Sequence, residues 1–169
     1  GKTWKHIGLD NTGHIGAVEI DPRSNDTVYV AAIGSAFIPN EERGLFKTTN
    51  GGESWEKVLY ISDTVGIVDV EMHPSNPNIV YASAWKADRK PWTIISGGEM
   101  ANDEGGIYKS IHAGATWKKI NNGLPTGLVG EIDLAVTAAN SSVLAANVEA
   151  PSPEGGLYWS VDQGESWQH

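Results

Sequence analysis

GLFKTTNGGESWEKV (Gly44–Val58) decides the fold, because the chain repeats its wording twice, as GIYKSIHAGATWKKI (Gly106–Ile120) and GLYWSVDQGESWQH (Gly156–His169). Each copy reads Gly, apolar, aromatic, a variable residue, then Ser/Thr-x-Asp/Asn-x-Gly-x-Ser/Thr-Trp. That second half is called the box below. The second copy places His112 where the others place Asn50 and Asp162. Gly1-Lys2-Thr3-Trp4 repeats the back half of the box. The closing tryptophans Trp4, Trp55, Trp117 and Trp167 stand roughly 50–60 residues apart, and a fixed spacing of that order marks a repeat architecture.

The box residues are those that a tight turn between strands needs. An Asp or Asn oxygen accepts hydrogen bonds from nearby backbone N–H groups and closes the turn from within. Glycine takes a positive φ that other residues adopt only at a cost. The Ser or Thr hydroxyl adds a further local bond. The Trp opens the next strand with a large ring to bury and one N–H to satisfy. Thr48, Asn50, Gly52 and Trp55 are therefore read as structural, as are Ser110, His112, Gly114 and Trp117, and Ser160, Asp162, Gly164 and Trp167. His112 suits the role less well than Asp or Asn, so the second turn is expected to be looser.

A second element recurs between the boxes. HIGAVEIDPRSNDTVYVAA (His14–Ala32) matches VGIVDVEMHPSNPNIVYASA (Val65–Ala84) and, more loosely, GLVGEIDLAVTAANSSVLAA (Gly127–Ala146). Each joins two alternating or β-branched runs through a turn rich in Pro, Asn or Ser, which is a hairpin signal. Adding the strand before each box and the strand after its Trp gives four short strands per repeat, A to D. The fold class is all-β, built of β-propeller blades of four antiparallel strands. About three blades are expected, near 9–60, 61–120 and 121–169, in one segment spanning 1–169. Residues 1–8 would be the outer strand of a preceding, or of the last, blade. Three blades are too few for a ring that usually takes four to eight. The remaining propeller blades, or self-association, are expected to complete it.

A formal charge of -9 and a pI near 4.9 argue against a nucleic-acid partner, which needs a basic face. The absence of cysteine excludes disulfides and thiolate metal sites. No apolar run is long enough to span a membrane. The five histidines show no metal-ligand spacing, and no phosphate-binding loop precedes a helix, so neither metal nor cofactor is expected.

The repeated pattern resembles the Asp-box, or BNR repeat, of sialidases, some endoglucanases and sortilin-type ectodomains. The wording between the boxes (DPRSNDTVYVAA, RGLFKTTNGGESW, HPSNPNIVYASAW, KPWTIISGG) is most similar to bacterial proteins with sortilin-like or "glycosyl hydrolase BNR repeat" propellers. The resemblance implies a propeller scaffold and a secreted or periplasmic location, and it does not by itself imply an enzyme. Sialidases need three arginines around a carboxylate and an Arg-Ile-Pro motif. This chain has Arg23, Arg43 and Arg89, none followed by Ile-Pro, so sialidase activity is disfavoured.

Antiparallel blades put the boxes on one face, and the B–C loops and D-to-A connections on the other. A ligand, glycan or polypeptide, is expected on that other face. The second B–C loop (Lys86–Gly106) is the longest and carries Arg89 and Trp92 just after Trp85, a combination able to stack and hydrogen-bond a sugar or carboxylate. These three residues and His14 are the ligand-binding candidates. In the innermost strands, Ile67, Asp69 and Glu71 are expected on one face and Val68, Val70 and Met72 on the other. Asp69 and its counterpart Asp133 are the candidates for the paired carboxylates of a glycoside hydrolase.

Overall fold

The computed structural model describes residues 1–87, 89, 90, 92 and 104–169, and the strands among them are antiparallel throughout. The first sheet orders β1 (Ile15–Ile20), β2 (Val28–Ala32), β3 (Gly44–Thr48) and β4 (Glu56–Leu59). The second orders β5 (Val65–Met72), β6 (Val80–Lys86), β7 (Gly106–Ser110) and β8 (Lys118–Lys119). The third holds β9 (Ile132–Val136), β10 (Leu144–Val148) and β11 (Gly156–Ser160), whose outer edge carries a single bridge between Trp159 and Gln168. The chain is a partial β-propeller. Each sheet is a blade, its chain running strand by strand from β1, β5 or β9 outward.

Strand alternation gives every blade two apolar faces, and adjacent blades bury them against each other. Tyr29, Ala31 and Leu45 of the first blade pack against Ile67, Val70, Met72, Val80 and Ala82 of the second. Tyr81, Ile107 and Ile120 of the second pack against Ile132, Leu134, Leu144, Tyr158 and Trp167 of the third. The core is therefore a series of layers between sheets.

One sequence-based expectation is corrected here. Ile67 does not share a face with Asp69 and Glu71, because the β5–β6 register shifts between Ile67 and Asp69. The bulge sends Ile67 into the layer with Val70 and Met72, and sends Val68 into a separate cluster with Ala36, Trp85 and Ala87. The first blade has the same shift between Ile15 and Ala17, and the residue inside it is Gly16. A Cβ there would stand 2.0 Å from the Val68 carbonyl oxygen, so glycine lets the two inner strands approach.

The boxes close as their chemistry requires. The Thr48, Ser110 and Ser160 hydroxyl oxygens accept from the N–H of Gly52, Gly114 and Gly164 at 3.0, 2.9 and 2.7 Å. Asp162 accepts from the Ser166 amide and hydroxyl and from the Ser160 hydroxyl, which hold its carboxyl down at about 2. Asn50 accepts from the Ser54 amide and the Thr48 hydroxyl in the same way. His112 keeps the bond to the hydroxyl four residues on, pairing its Nδ1 with that of Thr116 at 2.7 Å, but its ring captures neither the Thr116 amide nor the Ser110 hydroxyl.

Each box also docks on the blade before it. Trp117 Nε1–H donates to the Val58 carbonyl at 2.9 Å and Trp167 Nε1–H to the Ile120 carbonyl at 2.8 Å. Tyr29 Oη–H and Lys47 Nζ donate to the Ala113 carbonyl, and Lys109 Nζ donates to that of Gln163. Residues 1–8 pair in no strand, yet Trp55 Nε1–H donates to the Ile7 carbonyl at 2.8 Å, which puts Ile7 in the place of Val58 and Ile120.

Candidate functional site

The loop face opposite the boxes is organised by one buried cation. Arg43 is 0% exposed; its Nη1 donates to the Thr64 carbonyl at 2.8 Å, and its Nη2 to those of Ser35, Ile38 and Ala87 at 2.5, 3.2 and 3.1 Å. Carbonyls from the first B–C loop, the approach to β5 and the end of β6 thus converge on one guanidinium. The Asn40 side-chain amide adds donations to the Ser35 and Ile38 carbonyls. So tied, the loop presents Phe37 and Ile38 at 64% and 63% exposure.

The second B–C loop joins it through the Arg89 N–H, which donates to the Ala36 carbonyl at 2.9 Å. Arg89 is exposed, and Trp92 is 73% exposed. Residues 88, 91 and 93–103 of this loop lie outside the described residues. His14, also exposed, is fixed from Nδ1 to the Gly34 carbonyl at 2.8 Å. Arg89, Trp92 and His14 are therefore linked by single hydrogen bonds to the loop that Arg43 anchors, or lie within three residues of one that is. Trp85 is a correction. It is 2% exposed, packed with Ala36, Val68 and Ala87, so it supports the loop from beneath and offers no ring to a ligand.

Beside these loops runs an open groove of about 380 Å³ between the D-to-A connection Leu9–Thr12 and Glu41, Glu42 and Phe46. Lys57 crosses it with its ammonium 5.3 Å from the Phe46 ring and 4.6 Å from that of Tyr60.

The inner strands bring the carboxylates together differently from a catalytic pair. Asp69 Oδ1 accepts from the Val70 N–H and Oδ2 from the Leu134 N–H, both at 2.8 Å, so one carboxylate joins β5 to β9. The Met72 N–H of β5 lies close enough to Glu19 of β1 to offset part of the rise that burial gives its pKa. Burial raises the pKa values of Asp69 and Glu19, and pushes that of Glu71 up to about 7 with help from the charges of Asp69 and Glu19. Asp133 is exposed on β9, near enough for its charge to add to the rise at Asp69. Among the described residues no group of three or more His, Asp or Glu could hold a metal ion. No helix among them is long and apolar enough to cross a membrane.

The sequence assigned no site role to Arg43 or Glu19. The one visible signal for Arg43 was a charged residue before the repeated Gly, where the other copies have Gly105 and Gly155. Glu19 stands where the second blade has Glu71.

Compared with solved structures, the chain shares its fold with β-propeller glycoside hydrolases. An ancestral GH74 enzyme aligns at TM-score 0.73 and 19% identity over 100% of this chain and 20% of its own. The GH74 xyloglucanase from Xanthomonas campestris aligns at 0.67 and 22% over 91% and 21%. The GH74 enzyme of Niastella koreensis aligns at 0.59 and 18% over 94% and 22%. The chain thus spans about a fifth of the length of the structures it matches. No family model matches it, and a search of curated proteins finds no match either.

Proposed function

We propose that the chain is a segment of a bacterial Asp-box β-propeller, secreted or periplasmic, that binds a glycan or a polypeptide on the loop face without turning it over. The observation that carries this reading is the pair of exposed ring-bearing loops, Phe37–Ile38 and Arg89–Trp92, held in fixed relation by Arg43 and the Arg89–Ala36 hydrogen bond. Flat aromatic faces beside a guanidinium suit sugar rings and extended peptides alike. Aromatic anchors of this kind carry about 2 kcal/mol or more when they lie at the centre of an interface. A glycan and peptide array on the propeller, followed by titration of the best binder, tests this. Trp92→Ala is expected to weaken binding about thirtyfold, and unchanged affinity refutes the assignment of the face.

A second reading is glycoside hydrolysis within a xyloglucanase- or sialidase-related propeller, with Asp69 and Asp133 as the acid and base. The fold shared with GH74 enzymes and the electrostatic contact between these two residues favour it. Against it, both oxygens of Asp69 already accept backbone amides. Turnover of a bound glycan that Asp69→Asn abolishes would establish hydrolysis in place of binding alone.

A further inference from the structure

We infer that Asn122 is a site of self-modification, converted to aspartate and isoaspartate through the backbone nitrogen of Gly123, and that the isoaspartate form loosens the seam between the second and third blades. The chain itself contains both blades of that seam, and the modification is independent of what the loop face binds.

Asparagine followed by glycine is open to attack from its own backbone, because glycine has no side chain to shield its amide nitrogen. That nitrogen bonds to the asparagine Cγ, the side-chain nitrogen leaves as ammonia with the displaced proton, and a succinimide ring forms. Water then opens the ring. Breaking the bond to Cγ gives aspartate, and breaking the bond to the α-carbonyl gives isoaspartate. The chain holds two such pairs, Asn50-Gly51 and Asn122-Gly123, and their hydrogen bonds set them apart. Asn50 Oδ1 accepts from the Thr48 hydroxyl and the Ser54 N–H, and its Nδ2 donates to the Ser54 hydroxyl. The Gly51 N–H donates to the Asp26 carbonyl at 3.0 Å. Electrophile and nucleophile are each tied to another partner, so this pair is held inert.

Asn122 and Gly123 are exposed in a turn that the Leu124 N–H closes on the Asn121 carbonyl at 3.0 Å. The Asn122 side chain makes one long bond, from Nδ2 to the Glu165 carbonyl at 3.4 Å. The Gly123 N–H has no partner among the described residues. The C=O and N–H of a trans peptide point opposite ways, and the Asn122 carbonyl accepts the Trp167 N–H at 2.8 Å. The Gly123 N–H is therefore turned away from the third blade and left free to react. The same turn carries the seam, since Trp167 Nε1–H donates to the Ile120 carbonyl and the Trp167 carbonyl leaves no room for a Cβ on Gly123. Isoaspartate runs the main chain through its own side chain and adds a methylene between positions 122 and 123. A lengthened turn cannot keep both contacts to Trp167, whereas aspartate leaves the backbone as it was.

Ageing the 169-residue chain in mildly alkaline buffer and mapping its tryptic peptides by mass tests this. Cleavage after Lys47, Lys57 and Lys119 places Asn50 in peptide 48–57 and Asn122 in peptide 120–169, and fragmentation locates the altered residue. Asn122 is expected to lose its amide, and Asn50 to react at least about tenfold more slowly, because its turn must first open locally. In urea the two pairs are expected to react at similar rates, which assigns the difference to the fold. The aged parent is expected to melt below the fresh chain, while Asn122→Gln, aged alike, keeps the melting temperature of its own fresh sample. Asn122 that survives folded, or Asn50 that reacts as fast, overturns the site. A parent converted to isoaspartate that melts like the fresh chain, or an equal loss in Asn122→Gln, overturns the effect on the seam.

Discussion

His112 and Arg43 are two side chains whose neighbours define what each must do. At position 112 the turn presents the Thr116 amide and the Ser110 hydroxyl, which Asn50 and Asp162 capture in their own turns and an imidazole does not. His112→Asp is expected to stabilise the chain by about 1 kcal/mol, read as a higher urea midpoint at unchanged slope. Arg43 is the opposite case, since four carbonyls converge on it in a site closed to water. Arg43→Met is expected to cost at least about 3 kcal/mol in urea unfolding and to abolish loop-face binding, because those carbonyls lose their donors. The turn chemistry was legible in the sequence because it is local: donor and acceptor lie within four residues of each other. The partners of Arg43 lie as far away as Ala87, and no short-range pattern announces them.

Among the elements, the inner strands carry the pH dependence. Their free edges expose N–H groups that would otherwise invite pairing, and Asp69 satisfies two of them. Glu71 shares this crowded side with Asp69 and Glu19 and has its pKa raised from 4.5 to about 7. A carboxyl group that is more readily protonated in the folded than in the unfolded state favours folding most below its unfolded pKa. That contribution is lost as pH rises through the folded value. The melting temperature is therefore expected to fall between about pH 4.5 and pH 7, and Glu71→Gln to flatten that fall while leaving stability below pH 4.5 unchanged. Glu19 and Asp69 shift in the same direction and sustain part of the slope in the variant. Thermal melts of both proteins across this range settle the sign. Period-two alternation located Asp69 and Glu71 correctly, since both lie beyond the bulge. It failed at Ile67 because a bulge adds one residue to one strand and inverts everything before it.

At the scale of the whole molecule, repeated words translate into repeated interfaces. Blade number, strand order and the loop face were legible because each follows from a pattern stated three times in the chain. The candidate site was legible only in outline. Arg89 and Trp92 lie on the expected face, whereas Trp85, seven residues before Trp92, is a supporting residue at 2% exposure. Composition cannot separate them, because burial is decided by Ala36 and Val68 of other elements. The docking bonds between blades share one direction. Trp117 and Trp167 reach back to Val58 and Ile120, and the carbonyls of Ala113 and Gln163 are held by Lys47 and Lys109 of the sheet before. A chain leaving the ribosome N-terminus first therefore meets each anchoring surface already made when the next turn emerges. In the order of synthesis each tryptophan finds its carbonyl partner already translated, whereas Arg43 must wait for Thr64 and Ala87 to close its site.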